Sequence, residues 1–317
     1  MSVSEEKDRH EELIQALADY DHAYHVLAQP KVPDAEYDRL FSELKALEKF
    51  HPAWVRPDSP TQRVGAPLPE GSKFPRVEHA APMISLESLF SMDEVEAFHE
   101  RVLKGLDGEG GEAPNYACEP KWDGVSASLV YEEGLLVRAV SRGDGSVGED
   151  ITPNLKAVGG VPLRLRGQAP ALLEVRGEVL MPISSFDSLN EALVGADEKP
   201  FANPRNATAG TLKRLDPAPA AERGLRIFVY ELARLEGMTE PPTHSKSLDA
   251  LMEWGFPVSP WVEVVDGPKG VAAFHAAMEA KRGEADFEMD GVVAKVDQKG
   301  LRDLLGSRAR TPRWACA

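Results

Sequence analysis

The sequence predicts an α+β fold preceded by a small helical unit, and three observations carry that reading. Segments with period-two alternation are separated by helical segments of irregular length, with hairpins among them, rather than by the regular βα rhythm of a doubly wound sheet. The first fifty residues carry only helical periodicity. Between the two regions, residues 52–82 hold seven prolines in 31 positions, the composition of a stiff connector. A boundary is placed there, giving units at 1–70 and 71–317. A chain of 317 residues has ample core for both, and no internal repeat is visible.

Taken in order, residues 4–28 read as an amphipathic helix with Leu13, Ala16, Leu17, Tyr20, Tyr24 and Leu27 on one face. Pro30 and Pro33 break it. Asp34 reads as the N-cap of a second helix carrying Tyr37, Leu40, Phe41, Leu44 and Leu47, which stops before Pro52. Beyond the connector come a strand at Met83–Leu86 and a helix opened by the capping box Ser91-x-x-Glu94. A glycine-rich loop at 105–113 leads into a strand ending near Lys121, followed by strands at 125–131, 135–141 and 171–181. A helix at 182–194 and a short one after Phe201-Ala-Asn-Pro-Arg205 precede a β-rich run at 225–232. The pattern then alternates: helix 247–254, strand 261–265, helix 270–282, strand 287–296 and a short helix 301–305 closed by Gly306.

The stretch with chemical content is Cys118-Glu119-Pro120-Lys121-Trp122-Asp123-Gly124. It places a lysine at a strand end with a carboxylate two residues to either side. Lysine is a nucleophile only as the free amine, so its reference pKa near ~10.4 must be overcome by burial or a nearby cation. Glu119 and Asp123 act the wrong way, which calls for a metal ion or further lysines close by. Alone, Lys-x-Asp-Gly is a weak signal, and a solvated strand end is the plainer reading.

Four further polar clusters lie at strand ends or in loops: Arg142 with Glu149, Glu178, Arg205, and Asp290 with Lys295. Singly each has a plain structural reading, such as Glu178 pairing with Arg176 or Asp290-Gly291 forming a bulge. Together they describe a cleft suited to a phosphorylated, ribosylated substrate, with cations for phosphate and carboxylates for ribose hydroxyls or a metal. Gly143-Asp-Gly-Ser-Val-Gly148 fits G-x-G-x-x-G only superficially, because it does not open a helix in a βαβ unit.

Composition limits the partners. Lysine and arginine number 36 against 52 aspartate and glutamate, a net charge of −16, where a nucleic-acid binder ordinarily shows a basic excess. Any such contact must come from local patches or from parts not present. Two cysteines, Cys118 and Cys316, provide neither metal spacing nor a disulfide framework. A polar start without a signal peptide and the lack of a membrane-length apolar run predict a cytoplasmic, soluble protein. The final residues, 311–317, stop in mid-strand and predict a fragment of something longer.

These residues resemble, in order, the motifs of the bacterial NAD-dependent DNA ligases, within the lysine nucleotidyltransferases. The nucleophile motif is matched by Cys118-Glu-Pro-Lys-Trp-Asp-Gly124, and the next by Ser141-Arg-Gly-Asp-Gly with Gly148-Glu-Asp-Ile-Thr. Val175-Arg-Gly-Glu-Val179, Phe201-Ala-Asn-Pro-Arg-Asn206 and Asp290-Gly-Val-Val-Ala-Lys295 follow. Tyr24-His25 and Pro33-Asp-Ala-Glu-Tyr-Asp38 are similar to the helical subdomain of the NAD-dependent branch. The resemblance spans about residues 10–317.

It implies the ligase adenylation fold of antiparallel sheets flanked by helices, with the 1–70 unit gripping the nicotinamide mononucleotide half of NAD. By position, Lys121 would attack the α-phosphate of NAD, expel nicotinamide mononucleotide and become an AMP-lysine that activates the 5′-phosphate at a DNA nick. Lys121, Asp123 and Lys295 are the implied catalytic set. Tyr24, His25, Asp34, Tyr37 and Asp38 would hold the nicotinamide mononucleotide half. Ser85, Leu86 and Glu119 would border the adenosine, Arg142 and Glu178 the ribose, and Lys295 the phosphate; Arg205 is counted with the cofactor-binding residues. Asp290 is the candidate magnesium ligand. The cofactors implied are NAD and Mg2+, with zinc only in the absent C-terminal part. The partner is nicked double-stranded DNA for the full-length enzyme, with poor DNA binding for this fragment, no membrane, and a monomer.

Three departures stand out. Lys213 replaces a family arginine, Glu87-Ser88 stands where relatives tend to have an asparagine, and the family's last adenylation lysine lies beyond Ala317. The readings set beside this one are an ATP-dependent ligase or capping-type enzyme, a catalytically silent nucleotide-binding module, and a Schiff-base lysine enzyme. The Tyr24-His25 helical unit argues against the first, since a nucleoside triphosphate has no nicotinamide half to grip. If that unit completes the NAD site across the proline-rich connector, closure by hinge motion is expected.

Overall fold

The computed structural model describes residues 3–25, 29, 31–63, 73–107, 113–308 and 311–317. Helices α1 (Val3–His25) and α2 (Asp34–Phe50) form the antiparallel pair expected from the helical periodicity. Leu13, Ile14 and Leu17 of α1 bury against Leu40 and Leu44 of α2, a small core of their own. Pro33 takes the cap position of α2, so Asp34 is its first helical residue rather than its N-cap. Proline at the cap donates nothing, and its extended backbone lets the helix begin one residue on.

The rest of the chain runs β1 (Arg76–Glu78), α3 (Met92–Leu106), β2 (Asn115–Trp122), β3 (Val125–Glu132), β4 (Leu135–Ser141), β5 (Val147–Glu149) and α4 (Thr152–Lys156). It continues with β6 (Leu172–Leu180), α5 (Ile183–Gly195), α6 (Pro204–Leu212), α7 (Ala218–Glu222), β7 (Arg226–Glu236) and α8 (His244–Glu253). Then come β8 (Glu263–Asp266), α9 (Gly267–Lys281), β9 (Met289–Val296), α10 (Lys299–Leu305) and β10 (Ala315–Cys316). The strands make two four-stranded antiparallel sheets, ordered β10-β9-β2-β8 and β4-β3-β6-β7, and a β1-β5 ribbon. Mixed helices with antiparallel sheets are the α+β class expected.

Each sheet has its own core. Tyr116, Cys118, Ala294 and Val296 on one face of β2 and β9 pack beneath α3, α9 and α10 through Phe98, Val102, Phe274 and Leu301. Ala127, Leu129 and Tyr131 of β3 and Leu173, Val175 and Val179 of β6 do the same for the second sheet. Strand alternation sends the opposite faces, with Glu119, Lys121, Ser126, Arg176 and Glu178, into the space between the sheets. Both cysteines are buried and free.

Two local expectations change. Met83–Leu86 forms no ladder strand: the Met83 N–H donates to the Gly145 carbonyl at 2.8 Å, and Arg176 covers the carbonyls of Ala81 and Pro82. Loop and side-chain partners satisfy that backbone, and only the bridge from Glu87 to Cys316 joins it to a sheet. The capping box closes in a modified form. Ser91 accepts from the Glu94 N–H, while Glu94 reaches back to the N–H of Phe90 rather than of Ser91.

The helical pair docks on the turn at 160–167 through polar contacts. Arg166 pairs with Asp19 at 2.6 Å, Arg164 with Asp58, and Arg63 bridges Asp21 (3.0 Å) and the Val161 carbonyl (2.9 Å). A cavity of about 310 Å3 remains between the two parts. Arg166 and Asp19 are each about one-third exposed, and such a pair contributes only about 0–1 kcal/mol. The other pairs are more enclosed, with the Asp58 and Asp21 side chains only 4% and 10% exposed.

Candidate active site

Lys121 lies where the chain passes from one sheet to the other, since β2 and β3 do not pair with each other. The turn between them is closed by Gly124, where a Cβ would fall 2.2 Å from the Val179 carbonyl oxygen, so β6 approaches the junction only because no side chain is there. Opposite Lys121 the ladder breaks: Pro120 pairs with Val292 and Trp122 with Met289, leaving Asp290 and Gly291 against one residue. That is the bulge expected from Asp-Gly, and Gly291 supplies its φ of 151°. Its consequence is that Asp290 turns onto Lys121. The ammonium donates to both carboxylate oxygens at 2.7 and 2.6 Å.

Around this pair is a cleft of about 480 Å3 with walls from both sheets. Ser85, Leu86, Glu119, Lys121, Arg142, Glu178, Arg205 and Lys295, all singled out in the sequence, line it together. Arg205 sits in the first turn of α6, whose N-cap Asn203 accepts from the Asn206 N–H at 2.8 Å. From there Arg205 holds Asp123 at 2.8 Å. Arg142 donates to Ser85 Oγ at 2.8 Å. Ser126, which sequence reasoning missed, donates to Glu178 at 2.6 Å across the β3–β6 ladder.

Lys295 is buried, only 6% exposed, and has partners of its own. It pairs with Glu119, donates to the Tyr230 carbonyl at 2.9 Å, and stands 5.2 Å from the Tyr230 ring centre. The register explains the pairing: Ala117 faces Lys295 and Glu119 faces Val293, so lysine and carboxylate are diagonal neighbours on one face. Burial alone would raise the Glu119 carboxyl, but the Lys295 ammonium beside it holds it well below the ordinary carboxylate range.

Glu178 is the opposite case. Burial pushes it up to about 7, even though Ser126, Arg205, the Gly124 N–H and Lys121 all pull it down. A carboxyl raised in the folded state contributes stability that is full below its ordinary value of 4.5 and is lost as pH rises towards about 7. Relative to Glu178→Gln, the wild-type chain should therefore lose up to about 3 kcal/mol between pH 5 and pH 8, at about 1.4 kcal/mol per pH unit up to about 7 and little beyond. Urea denaturation of both chains at the two pH values measures this, and parallel stabilities would contradict it.

The other predicted residues are not brought here. None of the described residues of 3–63 lines the cleft. Tyr37 donates its hydroxyl to Asp21 at 2.8 Å, inside the helical unit, and Asp38 is exposed. The side chains of Tyr24, His25 and Asp34 lie outside the described residues. Lys213 is exposed at the C-cap of α6, and Glu87 pairs with Arg101 at 2.8 Å.

Comparison with known proteins gives the context. Residues 71–317 match the family described as NAD-dependent DNA ligase adenylation domain, and residues 3–65 match DNA ligase-like, N-terminal NAD+-binding domain. The chain belongs to the NAD-dependent DNA ligase adenylation family. Curated relatives within reach of this family include the DNA ligase of Marinomonas sp. strain MWYL1, 46% identical over 96% of this chain and 45% of its own length. That of Alcanivorax borkumensis is 48% identical over 95% of this chain and 38% of its own. The chain thus spans less than half the length of these relatives. A solved structure titled mycobacterial DNA ligase D complexed with ATP and MES is 18% identical over 58% of this chain and 49% of its own, with a TM-score of 0.32, too slight a likeness to carry weight.

Among the described residues, no group of three or more His, Cys, Asp or Glu side chains could hold a metal ion, and no helix is long and apolar enough to cross a membrane. Magnesium does not require such a cage. It keeps most of its water and is ordinarily held by one or two carboxylates together with substrate phosphates. Asp290 and Glu178 are carboxylates of the kind that arrangement uses.

Proposed function

We propose that this chain is the NAD-dependent adenylation unit of a DNA ligase, with Lys121 as the nucleophile. The observation that carries the reading is the ion pair of Lys121 and Asp290, set by a bulge at the mouth of a cleft that Arg142, Arg205, Glu119, Glu178 and Lys295 also line. In the reaction, Lys121 Nζ forms a bond to the α-phosphorus of NAD as the bond to nicotinamide mononucleotide breaks. The ion pair keeps Lys121 charged at rest, so the amine would pass its proton to Asp290 only once a cation brought in with NAD offsets that carboxylate. Arg205 and Arg142 supply fixed positive charge for the phosphates, and Glu178 with Ser126 offers acceptors to ribose hydroxyls. Magnesium bound at Asp290 or Glu178 would offset phosphate charge.

For Lys295 the geometry favours a different partner from the phosphate implied by the resemblance. Glu119 and Lys295 place an acceptor beside a donor, next to the Tyr230 ring. That order complements an adenine edge, whose 6-amino group donates and whose N1 accepts. Lys295 is therefore assigned to the base and the arginines to the phosphates.

The helical unit would complete the site over the nicotinamide half. To do so it would leave its polar contacts with the 160–167 turn and close on the cleft. In the whole protein the AMP-lysine would activate the 5′-phosphate at a nick in double-stranded DNA, serving replication and repair in the cytoplasm. The test is the mass of the chain after incubation with NAD or ATP. One added adenylyl group from NAD alone is expected; addition from ATP would move the chain to the triphosphate-using branch.

A further inference from the structure

We infer that His244 is a positioning residue for base recognition, fixing the Glu119–Lys295 pair in the one order that matches adenine and rejects its 6-oxo counterpart. This rests on the adenine-reading role given to that pair above.

His244 is itself held rigidly. It opens α8, and its N–H donates to the Asp297 carbonyl at 2.8 Å. The next residue, Ser245, donates to the buried Asp297 carboxylate through both N–H (2.8 Å) and Oγ (2.9 Å). Thr243 caps the helix by accepting from the Lys246 N–H. Asp297 is two residues beyond Lys295, so the first turn of α8 is tied to the strand that carries the lysine.

The imidazole is only 2% exposed, with Nε2 3.4 Å from Lys295 Nζ and 3.6 Å from Glu119 Oε1. An ammonium has no lone pair, so at the lysine contact Nε2 accepts, which assigns the ring proton to Nδ1. Burial and the neighbouring Lys295 push the imidazole down to about 4, and it is neutral at working pH.

Lys295 is thereby held by two hydrogen-bond partners, the Tyr230 carbonyl and His244, and by its ion pair with Glu119. Three contacts fix the head group, and a base N1 shares the N–H directed at His244, the longest of them, so that the imidazole stays in place behind the bound base. A hypoxanthine edge has an N1–H donor and an O6 acceptor, the reverse of adenine. It could be met only if carboxylate and ammonium exchanged places, and the His244 ring behind them occupies the space that exchange needs. None of the His244 contacts involves Lys121 or Asp290, so its effect falls on base choice and binding rather than on attack.

The test compares dissociation constants for NAD and nicotinamide hypoxanthine dinucleotide by calorimetry on the full chain. The wild type should prefer NAD by at least about tenfold, a difference of about 1.4 kcal/mol. His244→Leu should bring the preference within about threefold while keeping a cooperative thermal melt. His244→Gln, whose amide oxygen can still accept from Lys295, should keep the wild-type preference. If the leucine chain fails to fold, His244→Asn, polar but too short to reach Lys295, should show the same loss. An undiminished preference in the leucine or asparagine chain overturns the inference while leaving the NAD reading intact. Failure of the wild type to bind either dinucleotide overturns both.

Discussion

A chain lacking residues 1–70 is expected to react with NAD at least about 100-fold more slowly than the full chain. On the proposed reading the cleft would hold a base, a ribose and phosphates, but none of the described residues of 3–63 lines it. A leaving group that is not held in line forfeits the orientation on which the displacement depends, and a misplacement of about 1 Å can cost roughly 100-fold. The helical unit, matched to an NAD+-binding domain, would supply the missing grip on the proposed reading. Circular dichroism on the shortened chain checks that the two sheets persist, and Asp38→Ala in the intact chain offers a milder version at an exposed position. Undiminished NAD reactivity in the shortened chain would show that the docking seen at 160–167 is the unit's whole role.

Asp290→Asn is expected to lower the rate of lysine adenylation about 100-fold, the lower end for a lost proton acceptor. The amide keeps the shape and can still accept a hydrogen bond, but it cannot carry away the ammonium proton. Stability should scarcely change. Lys121 and Asp290 are 37% and 41% exposed, and such pairs contribute about 0–1 kcal/mol. Single-turnover adenylation beside a urea melt separates the two effects. A large stability loss with an unchanged rate would make the pair structural.

Much of this was legible in the sequence because strand alternation carries it. The spacing of Glu119 and Lys121, and of Glu174, Arg176 and Glu178, announces which side chains share a face, and the structure turns Glu119, Lys121, Arg176 and Glu178 into the same cleft. Asp290-Gly291 could be read as a bulge from glycine alone. Pairing between distant strands was not legible. Nothing in residues 115–132 shows that β2 and β3 separate into different sheets, since the turn at Asp123-Gly124 looks like a hairpin. The pairing of Lys295 with Glu119 follows from a register 178 positions apart in sequence, Ala117 against Lys295. His244 carried no signal, falling before the helix read at 247–254, and Ser126 looked like one more polar position on a strand. Met83–Leu86 misled because its apolar run packs against a loop whose hydrogen bonds replace a ladder.

The most direct measurement is an intact-mass spectrum of the purified chain before and after incubation with NAD and Mg2+, with ATP and Lys121→Ala in parallel and a digest to map any adduct. The account predicts one adenylyl group from NAD, mapped to Lys121, with none from ATP and none in the alanine chain. An adduct that persists in Lys121→Ala, or maps to another residue, would contradict it.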